Sequence, residues 1–161
     1  MHCYNRYCYA VPHTMPASPT ALPVSPEQRT IVALARTVFR LMHQMEQLIK
    51  PFDLTPTQYN VLRILNGAGP EGLCGSEIGR RLVSQVPDMT RLLDRMAAAG
   101  LVERERDPNH RSFVTTRLTE AGRQKLVEAT PAIDAYHREQ FRRFTPEQLQ
   151  SFRELLALLE T

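Results

Sequence analysis

Apolar residues recur along this chain at spacings of three and four over most of its length, giving way to strand-like, β-branched runs in one central part. The first set, Ile31, Leu34, Ala35, Val38, Leu41, Met42, Met45, Leu48 and Ile49, predicts a long amphipathic helix that ends before Pro51. A second helix is expected from about Pro56 to Leu65, with Tyr59, Leu62 and Leu65 inward and a break at Gly67-Ala68-Gly69-Pro70. A short third helix follows Ser76, with Ile78 and Leu82 one turn apart. A fourth begins near Pro87 and buries Met89, Leu92, Leu93 and Met96 before Gly100 ends it. The period then changes, and residues 101–106 and 113–118 read as two strands joined by a turn at Asp107-Pro108-Asn109. Helical spacing returns after Thr119 with Leu126 and Val127. Pro131 kinks or restarts that helix, and Ile133, Tyr136, Phe141 and Phe144 continue its apolar face. A last helix carries Leu149, Phe152, Leu155, Leu156 and Leu159.

Three helix starts are marked by one signature: Ser25-Pro26-Glu27-Gln28, Thr55-Pro56-Thr57-Gln58 and Thr145-Pro146-Glu147-Gln148. Each puts a hydroxyl at the N-cap, a proline where its missing N–H costs nothing, and a glutamine three residues on to complete a capping box. Before them, residues 1–24 hold Pro12, Pro16, Pro19 and Pro23 without helical or strand periodicity, as expected of a disordered or loosely ordered tail. The remainder, 25–161, divides into terminal helices (25–50 and 119–161) and a central part (51–118).

That central part reads as a winged helix-turn-helix: two short helices with a tight turn, then a basic two-stranded hairpin as the wing. The fold class is mainly α with a small β-wing, and the stripe-like helices at the two ends form a dimerisation region. In this geometry the helix starting near Pro87 enters the major groove of DNA, presenting Gln85, Asp88, Thr90, Arg91, Asp94 and Arg95 opposite its core face. Arg91 is the expected reader of a base edge, since a guanidinium pairs bidentately with guanine for roughly 1–3 kcal/mol of discrimination, while Arg95 suits base or phosphate. Pro87 opens the reading helix. His110 and Arg111 at the wing tip would reach the minor groove or its phosphates, and the backbone N–H of Ser76 at a helix N-terminus would meet a phosphate.

Charge sharpens this only when located. The net charge is +3 over 161 residues and the isoelectric point about 9.0, a mild bias toward anionic partners. Eight arginines (Arg80, Arg81, Arg91, Arg95, Arg104, Arg106, Arg111, Arg117) fall between Ser76 and Leu118 against six acids, so a basic face requires their segregation in space. Three cysteines, two of them in the tail, argue for reduced thiols over a disulfide framework. His2, Cys3, Cys8 and His13 match no familiar zinc finger spacing, so no metal or cofactor is expected, and Cys74 reads as a small packed or incidental thiol. No glycine-rich phosphate loop, nucleophile elbow or distinctive carboxylate pair points to catalysis. No apolar run suits a membrane span or signal peptide, which predicts a cytoplasmic protein.

The combination of Asp88-Met89-Thr90-Arg91-Leu92-Leu93-Asp94-Arg95, Ala99-Gly100-Leu101-Val102, the Asp107-Pro108-Asn109 turn and Arg117-Leu118-Thr119-Glu120-Ala121-Gly122 resembles the MarR family of bacterial transcription regulators. Leu54-Thr55-Pro56-Thr57-Gln58-Tyr59 fits as well, and the resemblance covers about Pro26 to Thr161. It implies a homodimer with interlocked terminal helices, double-stranded DNA with a palindromic operator as partner, and a regulator, expected to be a repressor, released by a small-molecule or oxidant signal. Two departures stand out. His110-Arg111-Ser112 replaces the family's frequent Asp-x-Arg, and Val86-Pro87 replaces a frequent Ser-Thr at the start of the reading helix. The alternative is a winged helix used for protein contact without DNA.

Overall fold

The computed structural model describes residues 24–106 and 114–159. Its elements are α1 (Pro26–Ile49), a 3₁₀ turn (Lys50–Phe52), α2 (Pro56–Ala68), β1 (Leu73–Cys74), α3 (Gly75–Arg81), α4 (Met89–Ala98), β2 (Val102–Arg106), β3 (Val114–Leu118), α5 (Glu120–Phe141) and α6 (Pro146–Ala157). The chain divides into two compact units within α1, at Phe39. In the first, Ser25 caps α1 by accepting from the Gln28 N–H at 3.1 Å, and Ile31 and Phe39 are exposed.

The second unit contains the core. Val61, Leu62 and Leu65 of α2, Ile78 of α3, Leu93 and Met96 of α4, and Ala129 and Ile133 of α5 are all essentially inaccessible to solvent. Several starts and stops follow the local signals. Thr55 and Thr145 form complete capping boxes with Gln58 and Gln148. Thr119 caps α5 and also donates its hydroxyl proton to the Gly100 carbonyl at 2.7 Å, joining the end of α4 to the start of α5. Gly122 lies so near this joint that a Cβ there would overlap the Leu101 carbonyl. Within α5, the Thr130 hydroxyl donates to the Leu126 carbonyl at 2.7 Å. The Tyr59 hydroxyl, 3.2 Å from Thr130 Oγ1, is therefore the donor to it.

Several expectations need correction. The sheet has three strands in the order β1-β3-β2, all antiparallel, because Leu73 and Cys74 pair with Thr116 and Thr115 on the far side of the hairpin. Helix α2 runs past Leu65 through Gly67 to Ala68 and stops at Gly69, whose φ of 76° suits a residue without Cβ. Helix α3 begins at Gly75 behind Cys74, which places Ser76 inside the first turn. Helix α4 begins at Met89, two residues after Pro87, with Asp88 as its N-cap, and Met89, expected to be buried, is only half-buried. Pro131 does not restart a helix: α5 is continuous from Glu120 to Phe141. Ala129 and Ile133 anchor both sides of the proline in the core, while Val127, whose carbonyl loses its donor, is 64% exposed and so open to water.

Candidate nucleic-acid interface

Helix α4 has two chemically opposite faces. Leu92, Leu93 and Met96 are buried against the core, whereas Thr90, Arg91, Asp94 and Arg95 are exposed. The spacing of the large apolar residues at three and four positions turns Leu92, Leu93 and Met96 inward and leaves the charged ones outside. Among the described residues, no carboxylate pairs with Arg91 or Arg95, so both guanidinium groups are free to meet an outside anion.

The helix start is set by Asp88, whose carboxylate accepts from the Arg91 N–H at 2.9 Å. This occupies one of its oxygens on the backbone of α4, a local role for a residue expected to face the groove. Gln85 and Pro87 are exposed in the turn between α3 and α4. An open cleft of about 590 Å³ lies between α3, α4 and the wing, and Ser76, Gln85, Thr90 and Arg104 line it together. The structure thus brings Ser76, Gln85 and Thr90 to one cleft, while Arg91 and Arg95 stand on the exposed flank of α4. His110, Arg111 and the Asp107-Pro108-Asn109 turn lie outside the described residues.

At the start of α3, Glu77 Oε2 accepts from the Cys74 thiol and from the Cys74 N–H, each at 3.3 Å. The thiol bond first and the backbone bond second hold the Glu77 carboxyl below its ordinary value, with Arg80 and Arg81 adding a smaller pull in the same direction. With its proton directed at Glu77, the Cys74 sulfur accepts from Ser76 Oγ at 3.1 Å. Cys74 is therefore a capping thiol rather than a simple filler.

Two arginines counted toward a basic face are spent inside the fold. Arg104 of β2 forms an ion pair with Asp94 of α4. Arg117 of β3 pairs with Glu105 at 2.6 Å and donates to the Pro70 carbonyl at 3.1 Å. Neither partnership is visible as a local pattern, because each links different elements. Arg117 stands directly opposite Glu103 and pairs instead with Glu105, which lies diagonally across the hairpin.

Comparison with known proteins agrees with this geometry. A family model described as the MarR family matches residues 52–111. The chain is 29% identical over 126 residues to the HTH-type transcriptional repressor IacR of Pseudomonas putida, covering 78% of this chain and 74% of that protein. A MarR transcription factor from Planctomyces limnophilus is 34% identical, with a TM-score of 0.66 over 83% of this chain and 97% of the other. The transcriptional repressor CouR, solved bound to a 23-mer DNA duplex, is 26% identical, with a TM-score of 0.69 over 80% of this chain and 90% of its own. The winged helix, the two-faced α4 and these similarities lead to one conclusion: the chain belongs to the MarR family of DNA-binding transcriptional regulators, which are not enzymes.

Proposed function

We propose that this protein acts in the cytoplasm as a homodimeric repressor that places α4 of each subunit in the major groove of a palindromic operator and is released by a small-molecule or oxidant signal. The observation that carries the reading is the pair of exposed arginines, Arg91 and Arg95, without an ion-pair partner among the described residues, on the face of α4 opposite the buried Leu92, Leu93 and Met96. In this reading residues 51–118 hold the DNA, with Ser76, Gln85, Pro87, Asp88, Thr90, Arg91 and Arg95 near it and His110 and Arg111 on the wing. Residues 25–50 and 119–161 join the subunits. Exposed apolar side chains on the terminal helices, Phe39 at 74%, Met42 at 60% and Leu155 at 62%, support an apolar partner surface there. The CouR structure supports DNA as the ligand of such a fold.

A gel-shift on the duplex upstream of the protein's own gene tests the reading. The parent protein gives a shifted band at low salt that weakens steeply as salt rises, because phosphate contacts release counterions. Arg91→Ala relaxes the preference at one position in each half-site. No band at low salt supports the protein-contact alternative instead.

A further inference from the structure

We propose that Asp94 and Arg104 are positioning residues for DNA binding: their ion pair fixes the wing to the reading helix, and neither side chain contacts DNA itself. The inference rests on the DNA-reading role of α4 given above. Asp94 sits on the outer face of α4, one turn from Arg91 and next to Arg95, with its side chain 61% exposed. A free carboxylate there would repel the phosphates that its neighbours attract. Arg104 answers that charge from another element. It lies on β2 directly opposite the fully buried Thr116 of β3, and its own side chain is only 18% exposed. The guanidinium is thus held largely within the protein, where it reaches across to α4 along the wall of the cleft shared with Ser76, Gln85 and Thr90.

A second tie at the wing base acts in the same sense. Arg117 on β3 binds Glu105 of β2 across the strands and the Pro70 carbonyl of the loop before β1. The base of the wing is therefore fastened to α4 through one strand and to the segment after α2 through the other. Four arginines divide into two kinds by partner, not by residue type. Arg104 and Arg117 hold the frame, and Arg91 and Arg95 remain for the ligand. A grip on two grooves needs a fixed distance between its two parts, and a wing free to move loses affinity through the cost of ordering it on binding.

The test uses the full-length protein and the duplex upstream of its own gene, read by fluorescence anisotropy across a range of salt, with Asp94→Asn, Arg104→Gln and Arg104→Lys. Asp94→Asn removes a negative charge from a DNA-facing helix, so simple electrostatics predicts tighter binding. Positioning predicts weaker binding, by about tenfold, with the salt slope unchanged. Arg104→Gln should match that loss, and Arg104→Lys should recover part of it. Tighter binding by Asp94→Asn overturns the proposal. So does a drop of about one in the salt slope with Arg104→Gln, since that is the mark of a lost phosphate contact. Hydrogen exchange without DNA supplies an independent arm: in Asp94→Asn, amides of β2 and β3 exchange faster while those of α2 keep their protection. Unchanged exchange in the wing strands refutes the tie. A parent protein that binds no duplex but shows this exchange response refutes the DNA reading, and with it the binding role of the pair, while the tie itself stands.

Discussion

Helices α4 and α6 are of similar length, ten and twelve residues, and both carry an apolar stripe, yet their burial differs completely. Helix α4 buries Leu92, Leu93 and Met96, whereas α6 buries none of its residues within the protomer. The stripe of α4 is covered by its own chain, which leaves the opposite face, with Arg91 and Arg95, as the one turned outward. The stripe of α6 is only partly covered: Leu149, Phe152 and Leu156 are half-buried, and Leu155 is 62% exposed. An amphipathic pattern thus announces that a face will be covered without saying by what. For α4 the answer lies inside the protomer. For α6, in the proposed reading, it is a second copy of the chain.

Paired substitutions break this comparison most sharply. Leu93→Ala, at a fully buried site, should destabilise the protein by about 2–5 kcal/mol, seen in denaturant melts as a loss independent of protein concentration. Leu155→Asp should leave the core intact and instead shift sedimentation from dimer to monomer. If Leu155→Asp lowers the stability of the monomer as much as Leu93→Ala does, α6 is packed within its own chain and the contrast fails. Next in size is Gly122→Ala, whose Cβ would overlap the Leu101 carbonyl. Thermal unfolding should reveal a loss of about 1–3 kcal/mol as the joint between α4 and α5 is forced apart. Thr145→Ala, which deletes the N-cap of α6, should cost about 1 kcal/mol. Because α6 has little burial to hold it, that loss should appear as faster amide exchange confined to α6.

The smallest effect concerns pH. The Glu77 carboxyl is held below its ordinary value of 4.5 by the Cys74 thiol and N–H. A group depressed in the folded state contributes stability that is fully present above about pH 4.5 and is lost as the pH falls through its lower folded value. Parent and Glu77→Gln proteins should therefore differ in melting temperature near neutrality and converge in acid. A gap that widens below pH 4.5 would show that the carboxylate is not the favoured form at the start of α3.

The parts that could be read in advance are those whose cause is local. The Thr-Pro-x-Gln signatures at Thr55 and Thr145 became complete capping boxes, and the two faces of α4 follow from its spacing alone. What escaped depends on residues distant in the chain. Strand β1 is only Leu73 and Cys74, too short to show a period, and exists because β3 offers a free edge more than forty residues later. Pro131 has the local chemistry of a break, yet Ala129 and Ile133 in the core keep the helix running. In the candidate site, Arg91 and Arg95 stand on the expected face, but Asp88 caps its own helix and Arg104 turns inward to Asp94. Counting arginines could not separate the ones left exposed on α4 from the ones paired within the fold.

The central claim is that α4 is the part that meets DNA, twice and in twofold register. Hydroxyl-radical and methylation footprinting of the parent protein on its operator tests it most directly. The account predicts two equivalent major-groove patches about 34 Å apart, each losing guanine protection in Arg91→Ala. A single unrepeated patch, or guanine protection that Arg91→Ala leaves untouched, would contradict it.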